Sequence, residues 1–225
     1  ERWARFDTAL GLPVVVGRPG RAWADHLLAP LAGHVPARGS DPDSGTLTDT
    51  ARSWLAFSSA ATRHLKIHRN TLASRLRRIE ALLGLDLERV GGQAKLDLAL
   101  RIGALPQVSD RGTEVTTESA LPTRGEKTFE ALLRLPVARE WALTQLRPVR
   151  EDAPALEATL RAWLRHDARL SATAQEMGVS VTGVRKRLVR LEQILRRSLL
   201  RCPNARHDLW LAVEILDGDR LDGNF

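Results

Sequence analysis

The segment KIHRNTLASRLRRIEALLGL, residues 66–85, carries five lysine or arginine residues before its only acid, Glu80. Arginine can donate two hydrogen bonds to guanine, asparagine can pair with adenine, and serine or threonine can bond bases or phosphates. All these residue types occur here within a few helical turns. Their chemistry therefore fits contact with the base edges and the backbone of duplex DNA.

The same segment has apolar residues at the spacing of one helix face: Leu72, Leu76, Ile79 and Leu83. Opposite this stripe lie polar and basic residues: Asn70, Ser74, Arg77 and Arg78. The pattern predicts an amphipathic helix with one face packed on a core and the other basic and exposed. A solvated helix without any partner has the same pattern, so one copy of it decides little.

A second copy of this pattern lies more than a hundred residues downstream. Its stripe is Val184, Leu188, Leu191 and Leu195, and its outer face is Thr182, Lys186, Val189 and Arg190. Other blocks return in the same order: SAATRHLKI (59–67) as SATAQEMGV (171–179), and LALRI (98–102) as LAVEI (211–215). Trp23 and Trp54 likewise return as Trp141 and Trp163. This ordered recurrence indicates a tandem duplication.

Each copy is predicted to consist mainly of helices. Entry helices at 25–31 and 137–146 are expected to end near Pro30 and Pro148, and tryptophan-bearing helices follow at 48–57 and 155–166. A short helix with Ser59 or Ser171 as its N-cap precedes each basic helix, and closing helices are expected at 93–102 and 205–216. Residues 13–16 are predicted to form a strand, and residues 17–20 a turn.

A short helix, a tight connection and a longer basic helix together form a helix-turn-helix, whose second helix enters the major groove N-terminus first. The connections are residues 66–68 and 178–180. The predicted fold is therefore mainly α. It comprises two tandem helix-turn-helix domains, winged-helix-like or homeodomain-like, joined by a flexible linker.

The predicted domains are 21–102 and 127–217, with the tail of an upstream domain at 1–20, a linker at 103–126 and a C-terminal tail at 218–225. The linker is rich in Gly, Pro, Ser and Thr. As a coil it spans roughly 25–30 Å, close to the spacing of about 34 Å between successive half-sites. The copies can then occupy adjacent turns of one duplex. The other possibility is that they pack on each other through Trp23, Trp141 or the closing helices.

Copy one resembles a known family. SAATRHLKIHRNTLASRLRRIEALLGLDL, followed by KLDLALRI, looks like the C-terminal helix-turn-helix of PucR-type transcription regulators. The most specific motifs are HRNT (68–71), RLRRIE and GLDL, and the resemblance covers residues 48–102. Copy two keeps SATA, RLVRLE and the closing helix, but has Ser-Val-Thr-Gly in place of HRNT. Gly183 weakens its first helical turn, so we expect different base contacts there.

The resemblance implies a bacterial, sequence-specific regulator that binds double-stranded DNA. Family members usually carry one such domain behind a larger sensory region, so it also implies an effector-sensing part upstream of Glu1. The residues expected to contact DNA in copy one are Ser59, His68, Arg69, Asn70, Thr71, Ser74, Arg75, Arg77 and Arg78. In copy two they are Ser171, Ser180, Thr182, Gly183, Arg185, Lys186, Arg187 and Arg190.

Composition narrows the remaining possibilities. A formal charge of +7 suits a polyanionic partner, and no apolar run approaches the length of a membrane span. A single cysteine, Cys202, fits a reducing cytoplasm, where a DNA-binding regulator would associate with the nucleoid. His64 and His68 straddle the predicted turn without a completing ligand, so no metal site is expected. No catalytic motif or cofactor site is recognisable, and an enzyme is not expected.

Two alternative functions remain open at this point. In the first, only copy one reads DNA, and copy two forms a homodimer or contacts RNA polymerase. Gly183, and Val189 at the place of Arg77, motivate this alternative. In the second, a small effector binds between the copies.

Overall fold

The computed structural model describes residues 11–39, 41–106 and 128–222. The side chains of Ser59 and of residues 219–222 lie outside this description. Copy one consists of α1 (Leu12–Val15), α2 (Gly17–Ala32), α3 (Ser44–Phe57), a 3-10 turn (Ser58–Ala60), α4 (Ala61–Leu65), α5 (Arg69–Leu83) and α6 (Val90–Gly103). Copy two consists of α7 (Phe129–Leu133), α8 (Pro136–Asp152), α9 (Pro154–Arg165), α10 (Leu170–Glu176), α11 (Val181–Leu195) and α12 (Pro203–Asp222).

The two copies have the same order of helices, and the described ranges contain no β-strand. The predicted mainly α fold with two tandem helix-turn-helix units is therefore confirmed. The linker predicted at 103–126 lies mostly outside the described residues. Within those residues, none of the helices combines the length and the apolar character that crossing a bilayer requires.

Residues 13–20 differ from the prediction. Residues 13–16, predicted as a strand, lie in and just after helix α1, which carries Pro13 in its first turn. Residues 17–20, predicted as a turn, form the first turn of α2. A short apolar run does not distinguish a strand from a buried helix. Here α1 packs on α6 and α8, and Leu12 and Val16 are buried, so tertiary contacts select the helix.

The first entry helix ends close to its proline, as predicted, whereas the second continues past its proline, contrary to the prediction. Pro30 lies two residues before the end of α2, and α8 continues from Pro148 to Asp152. Proline removes one backbone hydrogen bond and weakens a helix interior. Leu146 and Val149, on either side of Pro148, are both fully buried, and α8 packs along α12. This packing carries α8 through the proline.

The copies share a hydrophobic core. One cluster of buried side chains includes Trp23 and Leu98 of copy one together with Trp141, Trp163 and Leu209 of copy two. A smaller cluster belongs to copy one alone and lies between α3, α5 and α6. Three of the repeated tryptophans are buried, whereas Trp54 is half-buried at the edge of the smaller cluster.

Of the two arrangements considered for the copies, the structure shows the packed one. The closing helices α6 and α12 contact each other, and the Trp23 ring lies 5.4 Å from that of Phe129. The two helix-turn-helix units are thus held by a common core as well as by the chain that joins them.

Candidate nucleic-acid interface

The helix-turn-helix of copy one is built from α4, the turn 66–68 and α5. Lys66 ends α4 in the left-handed conformation (φ 54°), and the Ile67 amide donates to the Thr62 carbonyl at 3.1 Å. His68 is the N-cap of α5, where its Nδ1 accepts a hydrogen bond from the Asn70 amide at 3.2 Å. The HRNT motif therefore begins the helix as well as supplying candidate DNA contacts.

Copy two builds the same unit from α10, a turn and α11. Gly178 takes the place and the left-handed conformation of Lys66 (φ 64°). Ser180 takes the place of His68 and accepts a hydrogen bond from the Gly183 amide at 3.0 Å. The equivalent turn is thus formed from different side chains.

The serine caps predicted for the short helices are wrong. Ser59 lies inside the 3-10 turn, and the N-cap of α4 is Ala60. Ser171 is the second residue of α10, whose N-cap is Arg169. The short helix begins at Ala61 in copy one and at Leu170 in copy two, so neither serine immediately precedes its helix. The presence of a serine therefore did not locate the first residue of either helix.

The exposed face of α5 is the one that the periodicity predicted. Leu72, Ile79 and Leu83 are buried, and Leu76 is half-buried. The candidate contact residues on the other side are all exposed: His68, Arg69, Asn70, Thr71, Ser74, Arg77 and Arg78. Among the described residues Arg69, Arg77 and Arg78 have no carboxylate partner, so their charges are free to meet an anion.

The outer face of α11 is more mixed. Ser180, Thr182, Arg185, Lys186 and Arg190 are exposed, and Gly183 is half-buried. Val181 and Val189, exposed by 45% and 41%, occupy the places of Arg69 and Arg77. Copy two therefore presents as many exposed basic residues as copy one, but at different places, and it has two apolar side chains where copy one has arginines.

Arg75 and Arg187, both predicted DNA contacts, lie off the exposed faces and are half-buried. Arg75 donates to the Thr50 hydroxyl at 3.2 Å, and Arg187 donates to the equivalent Thr159 hydroxyl at 3.4 Å. Both threonines are fully buried. These arginines join each second helix to the tryptophan-bearing helix, and their role in the structure is to position that helix.

Two acids that sequence reasoning did not single out also position these helices. Glu80 accepts a hydrogen bond from the Leu87 amide at 2.9 Å. Glu192 accepts from the Leu199 and Leu200 amides at 2.6 and 2.9 Å, and from the Ser198 hydroxyl at 3.1 Å. Each carboxylate holds the turn that follows its helix. The repeated acid in RLRRIE and RLVRLE was the available signal.

A groove lies beside α5 in copy one. The loop between α2 and α3 brings His34, Arg38 and Asp41 alongside Thr71, Ser74, Arg77 and Arg78. In copy two the equivalent helices are separated by Ala153 alone. The greater length of this loop in copy one is visible in the sequence, but its position beside the second helix is not. The groove has several bases and one acid, so its charge favours an anionic ligand.

A few other residues that can take part in chemistry lie outside this interface. The His64 ring lies 4.6 Å from the Phe57 ring, and the described residues contain no group of side chains suited to a metal ion. Cys202 is exposed. Glu157 lies between Arg150 and Arg161; burial raises the pKa of this carboxyl, but the two arginines together lower it below its ordinary value. These ion pairs join α8 to α9 and do not involve the turn between α10 and α11.

Comparison with known proteins supports the helix-turn-helix assignment. A protein of Thermomonospora curvata, described as "Uncharacterized protein in pkwA 5'region", is 33% identical over 107 residues, which are 46% of this chain and 59% of that protein. The chain thus covers less than two thirds of that relative, and no solved structure matches it significantly. The model of the PucR C-terminal helix-turn-helix domain matches residues 47–102 and again residues 156–215, together more than half of the chain. The chain therefore belongs to the PucR C-terminal helix-turn-helix domain family and carries that domain twice.

Proposed function

We propose that the protein is a sequence-specific DNA-binding transcription regulator that reads adjacent major-groove half-sites with α5 and α11. The observation that carries this proposal is that the second helix of each unit has an exposed outer face with basic side chains. Each helix has only one acid, Glu80 or Glu192, and both acids bond the following turn instead of neutralising that face. The family is a regulatory DNA-binding one, and the proposal involves no catalysis and no cofactor.

In copy one the N-terminal residues of α5 would read bases. Arg69 and Asn70 lie at the first two positions of the helix, which reach deepest into the groove in this motif. Arginine suits guanine and asparagine suits adenine. Ser74 and Arg77 lie one and two turns further along the same face and would extend the contact.

The groove beside α5 would hold the phosphate backbone. Arg78 and Arg38 face it from the helix and from the loop. A phosphate contact adds affinity and fixes register without reading sequence. Copy one would therefore bind more tightly, and with a steeper salt dependence, than copy two.

In copy two Thr182 and Lys186 would contact bases, while Arg185 and Arg190 would contact phosphates. A second candidate function for this copy is an interaction module that contacts RNA polymerase or a second chain. Exposed Val181 and Val189 favour it, because they replace the two arginines of copy one with apolar surface.

Selection from a pool of random duplexes would test the proposal. The wild-type chain is compared with two double variants, Arg69→Ala/Asn70→Ala and Thr182→Ala/Lys186→Ala. Arg147→Ala, an exposed change on α8 outside both matched segments, is the control for the loss of one positive charge. We expect a two-part motif for the wild type and for Arg147→Ala, and the loss of a different half in each double variant.

Other outcomes separate the alternatives. If only the Arg69/Asn70 variant changes the motif, copy two does not read DNA and the interaction-module function is supported. If no motif is selected and moderate salt removes all binding, the contact is with phosphates alone and the proposed function is wrong.

A further inference from the structure

Most of the helix contacts between the copies are reciprocal; the exception is the contact of α3 with α12. Helix α1 of copy one packs on α8 of copy two, and α7, the counterpart of α1, packs on α2, the counterpart of α8. The counterparts α6 and α12 pack on each other. Reciprocal contacts between equivalent elements are the mark of a two-fold interface. The two units are therefore related by an approximate two-fold axis that passes between α6 and α12.

The side chains at this axis are complementary in size. His207 of α12 is fully buried against α6, with its ring 3.4 Å from the Gln93 amide oxygen and 3.6 Å from the Asp97 carboxylate. The counterpart of His207 in copy one is Ala94, also fully buried. Pairing copy two with itself would bring two buried imidazoles to the axis, and pairing copy one with itself would leave a void.

A second complementary pair lies one turn away. The ring of Trp210 packs so closely on Gly91 that an added Cβ would lie 2.7 Å from it. The counterpart of Gly91 in copy two is Asn204, whose side chain would occupy the space that Trp210 needs. Copy one provides the recess, and copy two provides the side chain that fills it.

Two pairs of opposite charges at the interface also take one member from each copy. Arg101 of α6 contacts Asp208 of α12 at 2.8 Å, and the counterparts of these residues are Glu214 and Lys95. Burial lowers the pKa of Arg101, but Asp208 and then Asp97 raise it above its ordinary value. Burial raises the pKa of Glu214, and the charge of Lys95 opposes that shift. In these two pairs copy one supplies the base and copy two supplies the acid, so either copy paired with itself would bring like charges together at those places.

We propose that the two copies form a heterotypic pair within one chain, and that a single chain is the complete reader of an inverted repeat with unequal halves. This inference rests on the proposed function and adds the orientation of the half-sites and the number of chains. A two-fold axis turns the second recognition helix to face the opposite way along the duplex, so the half-sites must be inverted. Copies joined only by a flexible tether would accept direct repeats and variable spacing as well.

Duplexes built from the two selected half-sites would test the arrangement. The halves are placed as an inverted repeat, as a direct repeat, and as an inverted repeat with about five added base pairs, which turns one half by about half a helical turn. Native mass spectrometry gives the number of chains per duplex, and titration gives the affinity. We expect one chain per duplex and binding to the first duplex at least about tenfold tighter than to the others. Two chains per duplex, or equal binding to the three, would overturn the proposal.

A substitution at the recess around Gly91 tests whether the interface between the copies causes the preference for one spacing of the half-sites. Gly91→Ala places a methyl group against Trp210, whereas Gly218→Ala, in α12, adds the same group where no described atom outside the local helix backbone lies within 4 Å. Alanine favours a helix over glycine at both positions, so any loss in Gly91→Ala is steric. We expect Gly91→Ala alone to lose the preference for correct spacing, and Gly91→Ala/Trp210→Phe to recover it.

Binding to a duplex with one half-site distinguishes a failure of the proposed function from a failure of the inference about the paired copies. If Gly91→Ala binds one half-site like the wild type but loses the spacing preference, the inference is supported. If Gly91→Ala keeps the spacing preference, the interface does not set the spacing and the inference is wrong while the proposed function stands. If the wild type selects no half-site at all, the proposed function itself fails.

Discussion

Copy one and copy two keep the same supports for the second helix but differ in what that helix presents. Arg75 and Arg187 bond equivalent threonines, and Glu80 and Glu192 hold equivalent turns. At the start of the helix, by contrast, Arg-Asn-Thr in copy one is replaced by Val-Thr-Gly in copy two. Positioning has been retained while the contact surface has changed. The difference predicts two readers with the same geometry and different preferred sequences.

The surroundings of the helix differ as well. Copy one has the loop with Arg38 beside α5, whereas copy two joins α8 to α9 through Ala153. Copy two instead buries the tryptophan of its α9 more deeply, since Trp163 is 1% exposed and its counterpart Trp54 is half-buried. Copy one thus has an additional loop beside its second helix, and copy two has the more deeply buried tryptophan at the equivalent position.

The core difference has the largest expected effect. Trp163→Ala should cost about 3–5 kcal/mol of unfolding free energy, the usual range for a buried aromatic residue. Trp54→Ala should cost roughly half as much, because part of its ring already contacts water. Denaturant unfolding followed by circular dichroism measures both. Equal losses would show that the cores of the two copies are equally tight. Trp163→Phe is the control, since the buried indole nitrogen of Trp163 has no hydrogen-bond partner among the described residues.

The second largest effect is expected from removal of the carboxylates that hold the turns after α5 and α11. Glu192→Ala leaves two amides and a hydroxyl without their acceptor, whereas Glu80→Ala leaves one amide. We expect losses of about 2–3 and about 1–2 kcal/mol respectively, because hydrogen bonds to a charged group are among the stronger ones. Thermal unfolding at a fixed pH of 7 measures them. A larger loss in Glu80→Ala would contradict the geometric comparison.

Exchanging the contact residues should exchange the sequences that are read. The triple variant Val181→Arg/Thr182→Asn/Gly183→Thr gives copy two the start of α5. An added Cβ at Gly183 lies 3.3 Å from the Ser180 hydroxyl oxygen, a tight contact that a small shift of the cap relieves. We expect the second half-site to approach the first in sequence, with about a tenfold change in preference. The reverse exchange at 69–71 is the control, and an unchanged second half-site would show that α11 does not read bases.

The smallest expected effect concerns the loop of copy one. Arg38→Ala should reduce the slope of log affinity against log salt by about one, while leaving the selected sequence unchanged. Arg38→Lys keeps the charge and should keep the slope. Titrations at several salt concentrations measure this. A changed sequence preference in Arg38→Ala would mean that the loop reads bases instead of phosphates.

Local patterns predicted much of the fold. The helical spacing of apolar residues located α5 and α11 and identified their exposed faces, because burial of a stripe follows the helical period wherever the helix packs. The strand predicted at 13–16 and the helix end predicted near Pro148 were wrong. In both segments the local preference of the residues is for another structure. Packing of α1 on α6 and α8, and of α8 on α12, outweighs that preference.

The amino-acid sequence was sufficient to identify the duplication, the family and the basic face of each second helix, since each of these is written in short segments of chain. It left open whether the copies are tethered or packed. That choice depends on side chains far apart in sequence, such as Gly91 with Trp210 and Arg101 with Asp208. Their fit exists only once α6 and α12 cross, because size and charge complementarity are properties of two surfaces and not of either sequence segment alone.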